Sequence, residues 1–274
     1  MITQRTHPYW LGAMLCLVVL SGTSVTARSA PDREPRPPVA LAEPPAYEVA
    51  AHNVGKIVLA VTNNGTFGDA YSGTGCGGNS GACNDVFTGE TVASCEYPKG
   101  SNTKYLFAGA LWVGAVVGRD TLVSVGATGW RGGQEFHPDV LPLGRMLYRS
   151  TINPAKSEYE GAISEQDFIA VYYDTCTNCP GIENDVIDLR GHHPLGIEVT
   201  QRSFAWSYAY AEDFVLMDFA IKNIGQDRLR DTYLGIYVDA DIFPLAQGWE
   251  GSQDDLCGFL EKIPARYLPP SCAP

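Results

Sequence analysis

Beyond the first twenty residues no stretch approaches the roughly 20 consecutive apolar residues that a membrane-spanning helix requires. Helical periodicity is nearly absent too: from about Gly55 onward almost no segment keeps a helical apolar repeat for three turns. Basic charge is scarce, 19 Lys and Arg against 31 Asp and Glu for a formal net charge of -12, which argues against nucleic acid as a partner. Two catalytic signatures are missing, the Gly-x-Ser-x-Gly nucleophile elbow and the phosphate-cradling P-loop. His52 and His137 stand at no spacing that marks a general base, and no internal repeat is visible.

What is present begins with an export signal. The first ten residues carry Arg5 and no acid, Leu11 to Leu20 is an apolar run, and Val25-Thr26-Ala27 offers small residues for cleavage. Residues 1–27 therefore read as a signal peptide and the mature chain as secreted or extracellular. Cys16 is no lipid anchor, because Leu15 precedes it where a small residue is needed. Residues 28–50, with Pro31, Pro35, Pro37, Pro38, Pro44 and Pro45, read as a semi-extended linker. Residues 51–260 are expected to form the folded domain. Residues 261–274 read as a Pro-rich tail, expected to end a truncated chain.

Within the domain, short alternating or apolar runs punctuated by glycine and asparagine predict an all-β fold, mainly an antiparallel β-sandwich, one large or two small. Lys56 to Thr62 runs into Asn63-Asn64-Gly65, a hairpin turn signal, although Asn64-Gly65-Thr66 also spells a glycosylation sequon. Tyr105 to Val117 and Thr121 to Val125 flank Gly118-Arg119-Asp120 and predict a second hairpin, its first strand central because it is apolar on both faces. Further strands are expected over Phe168 to Tyr173, Gly196 to Tyr210, Phe214 to Asn223 and Thr232 to Val238. Ser164 to Asp167 alone resembles a helical turn, with serine placed to cap it.

The most pointed chemistry is acidic. Asp239 and Asp241 follow a strand-like run, and the loop from Phe243 to Gln253 is long enough to return Asp254 and Asp255 to face them. Hard oxygen ligands of this kind suit calcium, against the alternative of solvated turn aspartates. An EF-hand is rejected, since Phe243 and Pro244 stand where an oxygen ligand and a glycine belong. Cys176-Thr177-Asn178-Cys179 has the spacing of a local disulfide, with zinc completed by His192-His193 or unpaired thiols as alternatives. Against zinc, adjacent histidines on extended chain point to opposite sides. Gly73, Gly75 and Gly78 match a dinucleotide fingerprint in spacing only. A disulfide between Cys76 and Cys83 closing this loop is the more economical account. Trp112, Trp130, Trp206 and Trp249 with Tyr208 and Tyr210 are candidates for stacking on sugars, and Trp206, Tyr208 and Tyr210 alternate as if on one strand face.

Glu96-Tyr97-Pro98-Lys99-Gly100-Ser101, Leu111-Trp112-Val113-Gly114, Ser164-Glu165-Gln166-Asp167, Ala205-Trp206-Ser207-Tyr208 and Tyr233 to Asp241 together resemble a group of secreted bacterial proteins. Many of that group end in a type IX secretion sorting domain. The resemblance spans roughly residues 53–259 and implies no catalytic residue, since the group has no assigned activity. This chain departs from it by stopping soon after Asp254-Asp255 without a sorting domain, which leads us to expect an exposed sheet edge. The expectation is a secreted or cell-surface binding or structural module, calcium-stabilised, whose partner is a surface polysaccharide or another extracellular protein. The alternative is a polysaccharide hydrolase using a carboxylate pair, which requires two carboxyls across a cleft lined by aromatics.

Overall fold

The computed structural model describes residues 46–68, 83–128, 134–140, 142–179, 182, 184, 189–253 and 255. Sixteen strands occur among them. In the first half run β1 Val49–His52, β2 Val58–Thr62, β3 Thr66–Phe67, β4 Cys83–Asn84, β5 Thr91–Val92, β6 Cys95–Glu96, β7 Thr103–Lys104, β8 Ala108–Val117 and β9 Asp120–Val125. There follow β10 His137–Pro138, β11 Leu147–Arg149, β12 Gln166–Tyr173, β13 Ile197–Ala205, β14 Leu216–Asn223, β15 Leu229–Asp239 and β16 Phe243–Pro244. Two short 3₁₀ helices, Ser157–Tyr159 and Leu245–Ser252, are the only helical elements among the described residues. Strand β1 starts at Val49, inside the stretch whose composition reads as linker.

Every strand pairing is antiparallel, and the strands form two facing sheets. The first runs β15-β8-β3-β2-β6-β7-β16, with β1 beside β2 and β9 beside β8; the second runs β10-β12-β13-β14, with β11 beside β12. A small ribbon, β4-β5, stands apart. The chain is an all-β, mainly antiparallel sandwich, as the alternation of its sequence predicts.

The core follows from that alternation. Phe168, Ala170 and Tyr172 of β12 lie opposite Ser203, Gln201 and Val199 of β13, so one face of the second sheet is closed to solvent. Leu111, Val113 and Ala115 of β8 meet Ala170, Tyr172, Ile197 and Val199 across the sheets. A second cluster joins Ala50, Ile57, Leu59, Val61 and Phe67 to Phe168. Burying each large apolar side chain stabilises the fold by about 1.5–3 kcal/mol. A polar seam also crosses between the sheets. His52 Nε2 and Ser203 Oγ are 2.7 Å apart, Gln166 Nε2 donates to the Ala51 carbonyl at 3.0 Å, Gln201 Nε2 donates to the Thr62 carbonyl at 3.3 Å, and the Ser124 hydroxyl donates to Asp174 at 2.7 Å. Such buried donors and acceptors tolerate few alternative partners and so favour one placement of the sheets.

Both predicted hairpins form. β2 turns into β3 through Gly65, whose φ of +84° suits glycine, and β8 pairs with β9 along six residues of each. Two expectations are corrected. β13 stops at Ala205, so Tyr208 and Tyr210 belong to a turn rather than a strand face. Residues 164–165 bend without helix, because Asp167 accepts the Ile163 and Ser164 amides at 2.7 and 2.8 Å while entering β12. β14 and β15 are separated only by a polar turn yet lie in different sheets.

Candidate functional site

Three segments that are remote in sequence meet at residues 53–56, 96–102 and 206–214. The last forms a turn in which Ala211 and Glu212 amides donate to the Tyr208 carbonyl at 2.7 and 2.8 Å, with the buried Ala211 as its anchor. The turn rests on Gly55, where an added Cβ would lie 2.7 Å from the Glu212 carbonyl and 2.9 Å from that of Trp206, so only glycine permits the approach. Next to it the Lys56 amide donates to the Glu212 carbonyl at 2.7 Å, and the Lys56 ammonium contacts Glu212 at 2.6 Å and Asp213 at 3.5 Å. Tyr97 donates its hydroxyl to Asp213 at 3.0 Å, and that bond raises the tyrosine pKa. The Ser207 amide donates to Glu165, and the Asn53 amide to Gln166 at 2.8 Å. Three of the sequence phrases quoted above, around Tyr97, Gln166 and Trp206, are thus joined in space.

Aromatic side chains crown this region. Tyr208 and Tyr210 stack with centroids 5.6 Å apart and planes 21° apart, at 46% and 83% exposure. Trp206 sits between Phe204 and Phe214 at 6.4 and 6.0 Å. A tyrosine this exposed gains little by packing, so its solvent-facing ring is available to a ligand. Of the other candidates, Trp112 is structural, stacked on Tyr237 at 5.4 Å with its Nε1 donating to the Ala127 carbonyl at 2.8 Å. Trp130 lies outside the described residues, and Trp249 contributes its backbone to the second 3₁₀ helix.

The acidic group is partly assembled. Asp239 ends β15 and accepts the Tyr237 hydroxyl at 3.0 Å, while Asp241 lies beyond the strand. The following loop does return: Asp255 accepts the Ile242 amide at 2.7 Å, and β16 pairs with β7. Asp254 lies outside the described residues. Burial and then the charge of Asp239 raise the pKa of Asp241, Asp255 adds to the rise, and Lys104 opposes it. The Lys104 ammonium is held over Phe107 and Phe243 at 5.2 and 5.6 Å. A lysine therefore supplies positive charge where the sequence suggested calcium. Among the described residues the carboxylate oxygens of Asp239, Asp241 and Asp255 do not converge within 4.8 Å, whereas the donor atoms of His137, Cys176 and Cys179 do.

Cys176 and Cys179 are joined as a disulfide, with Cα atoms 5.8 Å apart. Cys76 lies outside the described residues, and of Cys83 only the backbone, in β4, is described. His192 and His193 diverge, the first buried and the second exposed. His192 places Nε2 2.6 Å from the Asp174 carbonyl and Nδ1 3.1 Å from Glu135, an ion pair whose N–H is not aimed well enough to be a hydrogen bond. Both partners are acceptors, which favours the imidazolium. Burial opposes that charge, but Glu135 and the Asp174 carbonyl outweigh it and raise the pKa.

The histidine beside the disulfide is His137, which sequence spacing does not single out. Asp174 is the other residue missed: it accepts from Ser124, Leu195 and Ile197 at 2.7, 2.6 and 2.8 Å and ties the end of β12 to β9 and β13. A cleft of about 310 Å³ is lined by Asp85, Glu90 and Glu96, and among the described residues no aromatic side chain lines it. Asp85 accepts the Ala51, Phe87 and Thr88 amides and Glu96 accepts that of Asn102, so two of the three carboxylates hold loops. That chemistry gives a glycosidase no support.

Fold and site together define an antiparallel β-sandwich with an aromatic, charge-bordered loop cluster. Compared with protein-family models, curated proteins and solved structures, the chain matches none.

Proposed function

We propose that this chain is a secreted or cell-surface binding module that takes polysaccharide on Tyr208 and Tyr210 without catalysing a reaction on it. The observation that carries the proposal is the stacked, solvent-facing tyrosine pair on a turn pinned to Gly55 and Lys56. Flat rings offer apolar faces to the C–H faces of sugars. Lys56, Glu212 and Asp213 alongside offer donors and acceptors for hydroxyl groups. Export follows from the basic start, apolar run and small-residue site of residues 1–27.

The test is affinity electrophoresis of the full chain in gels containing neutral or acidic polysaccharides, for wild type and Tyr210→Ala. Retardation by at least one polysaccharide should weaken about tenfold in the variant, equivalent to about 1.4 kcal/mol. Its melting temperature should stay unchanged, because the ring is exposed. Equal retardation of the two proteins in every gel would defeat the proposal.

A further inference from the structure

We propose that His137, Cys176 and Cys179 form a zinc site that exists when the cysteine pair is reduced and is closed when the pair is oxidised. The two cysteines lie just past the end of β12, and His137 is set beside them by β10, whose His137 pairs with Tyr173. Imidazole nitrogen and both sulfurs lie within 4.8 Å of one another. Tetrahedral zinc, with bonds of about 2.0–2.3 Å, holds such donors about 3.5–3.8 Å apart. Little rearrangement is needed beyond opening the S–S bond.

The imidazole is already in the tautomer a metal wants. Its Nδ1 lies 3.0 Å from the Pro138 carbonyl, which can only accept, so Nδ1 carries the proton. Its Nε2 accepts the Cys176 amide at 3.0 Å, so the lone pair points at the cysteine loop. A ligating histidine whose other nitrogen donates to a backbone carbonyl is the usual supporting arrangement at zinc. On metal entry the Cys176 amide gives up the lone pair and turns to solvent, next to the exposed Thr175. Cys176 and Cys179 are half-buried residues, which leaves the fourth position to water.

Opening the site needs a dithiol reductant. Its two thiols become a disulfide, two electrons break the Cys176–Cys179 bond, and two protons pass to the cysteine sulfurs. Zinc binding then releases both protons as the thiolates ligate. A disulfide oxidant reverses the sequence: it takes two electrons from the two thiolates and is reduced to a dithiol, the Cys176–Cys179 bond re-forms, and the metal is released. This inference is independent of the sugar-binding proposal.

Zinc bound per chain is measured by equilibrium dialysis on oxidised and dithiol-reduced full chain, with cobalt absorption as a report of thiolate ligation. Comparison with variants separates this site from any zinc held by the chain's other cysteines. His137→Gln and the double variant Cys176→Ser, Cys179→Ser should each lose the same one equivalent in the reduced state, and the triple variant should lose no more. Reduced wild type should melt higher with zinc than without, and oxidised protein should not respond. Full zinc retention by reduced His137→Gln, or equal binding by the oxidised wild type, would overturn the site. If His137→Gln fails to fold, the reduced wild type alone decides. A cobalt spectrum carrying a histidine as well as two thiolate ligands, lost on alkylating Cys176 and Cys179, supports the site; its absence refutes it.

Discussion

Three buried or nearly buried histidines do different work, and pH separates them. His52 is fully enclosed, its Nε2 near Ser203, its Nδ1 without a hydrogen-bond partner, and burial pushes its pKa from the usual 6.5 down to about 3. The unfolded chain therefore binds a proton that the folded chain refuses between those values. The resulting stability is complete above pH 6.5 and lost as pH falls toward 3, by about 1.4 kcal/mol per unit. His137, also lowered, acts in the same direction. His192 acts oppositely: its pKa is raised, so its contribution is present below 6.5 and lost as pH rises through the folded value. Urea unfolding of wild type and His52→Leu from pH 7 to 4 should show the wild type losing stability more steeply by about that slope. Parallel curves would mean His52 does not carry the acid sensitivity.

At the scale of elements, the return loop from β15 through β16 to Asp255 is where charge and fold conflict. A carboxyl whose pKa is raised, as that of Asp241 is, destabilises the fold at neutral pH and ceases to do so once both states are protonated. In chelator, Asp241→Asn should therefore raise the melting temperature at pH 7, with the gain fading as pH falls below 3.8. A melting temperature raised by millimolar calcium in the wild type and not in Asp241→Asn would show that these carboxylates close on the ion despite their separation in the structure. A wild type that melts identically with calcium and with chelator would make Asp239, Asp241 and Asp255 ordinary turn residues whose charge Lys104 opposes. The all-β pattern, both hairpins and the local disulfide were legible in the sequence, because alternation, turn residues and a three-residue cysteine spacing act over short distances. The Tyr208 turn was not. Its alternation continues the pattern of β13, but beyond Ala205 the chain packs against Gly55 through Trp206 and Glu212 and leaves the strand.

Among the described residues the sandwich is open, and β15 forms a long edge of its first sheet. Among the described residues β15 pairs only with β8. Tyr233, 75% exposed, stands on it with Leu234, Ile236 and Val238. Leu234 and Ile236 lie opposite Val113 and Leu111, so they are on the core-facing side of the sheet yet exposed. The bulge between Arg230 and Tyr233 interrupts the β15–β8 register at one end only. An unpaired edge of this kind is a template for another strand, and a second copy of the chain carries one. The double variant Leu234→Lys, Ile236→Lys should fold as the wild type does and show less concentration-dependent association in sedimentation velocity. Unchanged association would place any self-contact elsewhere.

Sequence by itself determined the class of the fold, the positions of most strands and the chemistry of the cysteine pair, since each rests on side chains a few residues apart. Tertiary structure alone decided that β14 and β15 part into separate sheets, because partner choice depends on which apolar faces meet across the core. It also decided which histidine attends the disulfide. His137 lies 39 residues before Cys176, and only the pairing of β10 with β12 brings the two together.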